Sequence, residues 1–214
     1  MNTAITEIER KALYKVIYSR RDVRGQFLSD PVPDDVLGRL LDAAHHAPSV
    51  GFMQPWDFIV VKEPEVRQKV KSGFEIAHAE AAAMFSGKKQ EAYCSLKLEG
   101  IMESPLGICV TCDRSRSGDV VIGRTANPEM DLYSSVCAVQ NLWLAARAEN
   151  LGVGWVSIIH HDHIRQALGI PEHIVPVAWL CVGYVSFFHK TPELQQAGWL
   201  PRMELDSLVH YETW

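Results

Sequence analysis

Helix-spaced and strand-like runs of apolar residues alternate along this chain. Thr6-x-x-Glu9 has the form of a capping box. Behind it, Leu13, Val16 and Ile17 recur on one helical face, which predicts a first helix with that stripe buried. The helix should run out at an arginine cluster. A turn through Asp30-Pro31-Val32-Pro33 leads to a second helix. Asp34 and Asp35 suit its first turn, where carboxylates complement the helix dipole. Leu37, Leu40, Leu41 and Ala44 form its apolar face, and Pro48 closes it. Asp57 to Val61 reads as a strand, and Glu65 to Glu103 as a polar helical region interrupted at Ser86-Gly87. Leu106 to Thr111 is a buried strand. Asp131 to Asn150 is a helix apolar on nearly every side (Leu132, Val136, Val139, Leu142, Trp143, Leu144, Ala146), as suits a core or a dimer interface. Gly152 to Ile159 and Val177 to Val185 are further strands, separated by a short helix from about Asp162 to Gly169. The pattern predicts one α+β domain over 1–214, a sheet flanked by helices with a helical insertion at 65–103.

Composition changes this picture little. At 214 residues, 47% hydrophobic and 22% charged, the chain is an ordinary globular domain. A net charge of -5 argues against nucleic acid, which needs a broad basic face. No apolar run approaches the roughly 20 residues of a membrane span, and Met1 to Arg10 is too polar for a secretory leader. Five cysteines, an odd number, suggest no disulfide framework, so a reducing cytoplasm is expected.

Within this acidic chain, Ser19-Arg20-Arg21-Asp22-Val23-Arg24 places three guanidiniums in five positions. Their planar forks suit a phosphate, although arginines also end helices simply to complement the dipole. Asp22 would repel an anion, so it is either a tether for its neighbours or a chemical group aimed elsewhere. A second dense segment runs from Ala47 through Ser49, Met53 and Gln54 to Phe58. It reads as a helix end, a tight turn and a Gln-Pro-Trp entry into a strand.

Other motifs fail on geometry. Gly152-Val153-Gly154 lies between a helix and a strand, the reverse of a dinucleotide fingerprint. Cys109 and Cys112 would point to opposite faces of a strand. His160-His161-x-His163 lacks the i, i+4 spacing of a helical zinc site and any obvious acidic ligand nearby. No metal site is expected, and no nucleophile elbow or Walker loop occurs.

Taken together, the arginine cluster, Pro48-Ser49-x-x-x-x-Gln54-Pro55-Trp56, Gly152-Val153-Gly154-Trp155 and Arg202 in Leu200-Pro201-Arg202 resemble the FMN-dependent nitroreductase family. With Ser95 to Ile101, Ile108 to Arg114 and Ser157, they resemble its flavin-consuming branch, the 5,6-dimethylbenzimidazole synthases of cobalamin biosynthesis. The likeness runs from about Arg10 to Leu208. It departs from ordinary nitroreductases at Phe52, where they carry asparagine, and an apolar neighbour above the flavin is expected there.

The resemblance implies a nitroreductase-like fold, with a mixed, mostly antiparallel sheet and a helical lid at 65–103. It implies that FMN is bound by Arg20, Arg21, Asp22, Val23, Arg24, Ser49, Met53, Gln54, Leu98, Ser157 and Arg202. Reduced FMN would be consumed as substrate with O2, giving the benzimidazole and erythrose 4-phosphate. Asp22, held ionised by the arginines, would serve as the base, and Ser157 would bond the flavin edge. Leu98 would lie in the lid. The implied partners are a separate NAD(P)H-dependent flavin reductase and a second copy of the chain in a homodimer. An NAD(P)H-dependent nitroreductase or flavin reductase is the alternative activity, and a non-catalytic flavin carrier a third reading.

Overall fold

Two strands buried on both faces along most of their length anchor the molecule. In the computed structural model, which describes residues 4–214, β2 (Leu106–Asp113) and β4 (Ile174–Tyr184) pair at the centre of a sheet. β1 (Trp56–Val61) and β3 (Leu151–Val156) form its edges, in the order β1-β2-β4-β3. The first three positions of the polar stretch Met1 to Arg10 lie outside the described residues. All pairings between these strands are antiparallel. The mixed character reduces, among the described residues, to one isolated parallel bridge between Asp22 and Val153 beside β3.

Alternation along the central strands feeds two cores. On one face Leu106, Ile108, Val110, Leu180 and Val182 pack against α2 (Asp34–His45) and α5 (Met130–Ala148). Leu37, Leu40 and Ala44 of α2 are buried as their spacing predicts, while the helix stops at His45, before Pro48. On the other face Cys109, Trp179 and Cys181 pack against α3 (Pro64–Ala83) and α6 (His161–Leu168). Gly169, at φ 67°, ends α6 in the left-handed conformation that glycine adopts without strain.

Two expectations change here. The capping box on α1 (Glu7–Ser19) is present, yet no residue of that helix is buried; Leu13 is 53% and Ile17 37% exposed. Periodicity reveals a face without revealing what covers it, and within one chain this face stays bare. The 65–103 region is also not a lid throughout. Val70 and Phe74 of α3 and Ile101 beyond α4 (Gly87–Ser95) are buried in the second core, and Ala77 of α3 is buried as well. Each large apolar side chain there contributes about 1.5–3 kcal/mol on burial, so α3 is a structural layer.

Candidate functional site

The arginine segment is laid against β3 by glycine. Past the end of α1 the chain runs beside that strand, with the Val23 N–H donating to the Val153 carbonyl at 3.0 Å. A Cβ on Gly154 would stand 2.0 Å from the Val23 carbonyl oxygen, and one on Gly152 would stand 2.9 Å from the Val23 side chain. Only glycine allows this approach. The Gly-x-Gly pair therefore serves packing of the Asp22–Val23 backbone.

That placement fixes Asp22. Its Oδ1 accepts from the Trp155 N–H at 3.0 Å, and its Oδ2 from Arg24 Nη2 at 2.7 Å. Arg24, 8% exposed, also reaches Oε2 of Glu193 at 3.4 Å through Nη1. Arg20 stacks its guanidinium over Trp143 at 4.7 Å. Arg21 turns away and donates to the carbonyls of Tyr18, Arg20 and Lys190. A small cleft of about 160 Å³ is lined by Arg20, Arg21, Asp22, Arg24, Glu193 and Arg202. A larger one of about 680 Å³ shares Arg20, Arg21 and Arg202 and adds Gln140 and Lys190.

The charges in this cleft are not those expected. Burial pushes the Asp22 carboxyl above the usual carboxylate range, although Arg24, the Trp155 N–H and Arg20 pull it down; Glu193 adds to the rise. Desolvation thus outweighs the pull of the arginines on Asp22, and Arg24 is shared with a second carboxylate. Burial also lowers Arg20, with Asp22 opposing and Arg21 and Arg202 adding to the effect. Among the described residues, neither Arg20 nor Arg202 forms a salt bridge. Two guanidiniums free of ion pairs in a cleft fit a phosphate dianion, whereas Arg24 and Arg21 have both of their Nη groups engaged.

The second half of the expected site lies elsewhere. Ser49 Oγ accepts from the Gln54 N–H at 3.1 Å, and Gln54 Nε2 donates to the Phe52 carbonyl at 2.9 Å. Gly51, Phe52 and Gln54 hold φ of 52°, 54° and 48°, a strained conformation for the latter two. Met53 is buried, while Phe52 is 79% exposed and covers nothing within the chain. This loop feeds β1, at the sheet edge opposite β3. Three strand spacings, about 14 Å, separate those edges.

The fold therefore gathers Arg20, Arg21, Asp22, Val23, Arg24 and Arg202, and leaves Ser49, Met53 and Gln54 apart. Ser157 is exposed just past β3, two residues from the N–H that holds Asp22. Leu98 packs against the second core instead of lining the arginine clefts.

Glu193 and Trp143 were not singled out from sequence as parts of the cleft. Thr191-Pro192-Glu193 does carry a helix-start signal, and α7 (Glu193–Gln196) begins there. Cys109 is buried in the second core, its thiol pushed up to about 12 by desolvation. His160 does gain an acidic neighbour, Glu80 of α3 at 2.6 Å, and among the described residues no His/Cys/Asp/Glu group has metal-holding geometry.

Residues 17–184 match the nitroreductase family model. A 5,6-dimethylbenzimidazole synthase of Rhodospirillum rubrum is 41% identical over 193 residues, covering 90% of this chain and 91% of that protein. One from Rhodobacter capsulatus is 40% identical, covering 90% and 93%. Oxidized iodotyrosine deiodinase, solved bound to FMN and 3-iodo-L-tyrosine, shares the fold with a TM-score of 0.75 at 22% identity, covering 94% of this chain and 100% of that one. A nitroreductase family protein from Clostridium novyi NT has a TM-score of 0.64 at 25% identity, covering 81% and 85%. Among the described residues, no helix is long and apolar enough to cross a membrane.

Proposed function

This chain belongs to the nitroreductase family, and from that premise we propose that it fragments reduced FMN with O2. The products are 5,6-dimethylbenzimidazole, the lower ligand of cobalamin, which keeps the dimethylbenzene ring, its two nitrogens and C1′; erythrose 4-phosphate, from C2′ to C5′; and the pyrimidine half of the isoalloxazine, released as an oxidised fragment. The kinship to proteins named 5,6-dimethylbenzimidazole synthase supports the reaction. The observation that carries it is Asp22, a carboxyl raised by burial at the wall of a cleft whose Arg20 and Arg202 are free of ion pairs among the described residues.

Reduced FMN, supplied by a separate NAD(P)H-dependent flavin reductase, brings the ring atoms and the electrons for oxygen. Arg20 and Arg202 hold its phosphate. Asp22 then faces the ribityl chain, and accepts a hydroxyl proton as the bond between C1′ and C2′ breaks. A base works best when its proton affinity lies near the working pH, which a raised carboxyl approaches. Ser157 bonds the flavin edge. Ser49, Met53 and Gln54 reach the ring from a second copy of the chain, because one chain keeps them at the far edge of its sheet.

The test is Asp22→Asn in single turnover at saturating reduced FMN under air. The variant should bind flavin and react with oxygen, yet form product about 10²–10⁴-fold more slowly, the usual worth of a general base. Full product formation by the variant would remove Asp22 from that role. Quantitative recovery of intact FMN by the wild-type protein, with NADPH consumed, would favour a flavin reductase instead.

A further inference from the structure

Arg24 is one cation serving two carboxylates. Its guanidinium is nearly enclosed, with 9% of the side chain exposed, and it offers Nη2 to Asp22 at 2.7 Å and Nη1 to Glu193 at 3.4 Å. Glu193 comes from the opposite end of the chain, 169 residues away, and opens α7 directly after Pro192. Gln196 ties that turn to Thr191, donating to its carbonyl at 3.0 Å and to its hydroxyl at 2.9 Å. A carboxylate here weakens a cleft suited to phosphate, so its placement calls for a reason other than anion binding.

We infer that Glu193 is a positioning residue for Asp22: by occupying half of the Arg24 fork, it prevents Asp22 from being neutralised as a closed ion pair and so keeps it able to take a proton. The inference rests on the reading of Asp22 as a base. A carboxylate locked alone onto a guanidinium is a weak base, because the proton must displace the cation's favourable field. Two carboxylates sharing one guanidinium repel each other, and protonation of either relieves that repulsion. The other groups facing Asp22 are Arg20 from the end of α1 and the Trp155 N–H from β3, both favouring its ionised form. Arg202 lines the same cleft and acts on Arg20. Glu193 is the one neighbouring charge that works against ionisation of Asp22, in agreement with the direction of its shift.

The experiment titrates Asp22 directly. Flavin-free protein carrying 13C at its aspartate carboxyls is followed by NMR against pH, and the Asp22 signal is identified by its disappearance in Asp22→Asn. In Glu193→Gln, and in Glu193→Ala should the first variant fold poorly, the Asp22 midpoint should move to lower pH. Glu193→Asp, which keeps the charge, should restore the wild-type direction. The acidic limb of single-turnover product formation should move the same way, with a lower plateau. A purely structural Glu193 would change thermal stability and leave the midpoint in place, which would overturn the inference, as would a midpoint that rises. Because the titration is read without flavin, a shifted midpoint alongside a fully active Asp22→Asn would sink the base assignment while leaving the coupling of Glu193 to Asp22 intact.

Discussion

Gly154 shows how much one missing methyl decides. A Cβ there would collide with the Val23 carbonyl at 2.0 Å, and the neighbouring N–H of Trp155 is the one that orients Asp22. Gly154→Ala should therefore cost about 1–3 kcal/mol, the usual penalty of overpacking, as read from denaturant midpoints. It should abolish product by lifting Asp22 away from β3. Wild-type stability together with wild-type product would show that the Asp22 segment docks in some other way. The arginine cluster was legible because its three guanidiniums stand within five positions of the chain. How each arginine is spent was not. Arg24 meets a carboxylate 169 residues distant and Arg21 a carbonyl equally far away, and no local pattern encodes such partners. Nor does a local pattern reveal the burial that raises the Asp22 carboxyl against the pull of the arginines, since burial depends on the whole fold.

The elements themselves were mostly visible in the pattern of apolar positions, because each strand and helix answers to neighbours a few residues away. Their roles were less visible. The stretch 65–103 reads as polar and helical, yet α3 supplies Val70 and Phe74 to a core, and Ile101 beyond α4 is fully buried. Deleting 75–95 would remove buried Ala77 and Tyr93, so a test for a lid has to be confined to exposed positions of α4.

The link between α4 and the sheet is held by Glu99, 3% exposed. It accepts from Lys71 at 2.9 Å, from Lys97 at 2.5 Å and from the Ile101 N–H at 2.7 Å. Burial raises its carboxyl, but Lys97, the Ile101 N–H and Lys71 together hold it below the ordinary value. A depressed carboxylate stabilises the fold above the unfolded-state range, and that contribution is lost as pH falls through the folded value. Glu99→Gln should accordingly destabilise by about 1–3 kcal/mol at neutral pH, with the gap to wild type closing in acid. Parallel thermal melts at neutral and acidic pH measure this, and a gap that persists in acid would mean that packing, not charge, holds the segment.

At the scale of the molecule, one chain keeps the two motifs of the expected site apart. Asp22 and the arginines sit beside β3, the Ser49–Gln54 loop leads into β1, and the sheet order puts β2 and β4 between them. A sequence names the strands but not which of them are edges, so the two motifs read as one site until the fold separates them. The bare surface of α1 bears on the same point: Ile8, Leu13 and Tyr18 of the helix are 81%, 53% and 71% exposed, and Ile5 just ahead of it is 74% exposed. In the homodimer proposed above, these exposed apolar side chains are the ones a second copy would cover, and that copy's Ser49–Gln54 loop would serve the arginine cleft. Charging the stripe separates assembly from folding, because α1 contributes no buried residue to its own chain. The double variant Ile8→Lys, Leu13→Lys should keep the wild-type circular dichroism and melt cooperatively, sediment as a monomer, and lose reduced-FMN binding measured by fluorescence under nitrogen. A monomer that binds reduced FMN as tightly as wild type would place the whole flavin site within one chain and remove the second copy from the reaction.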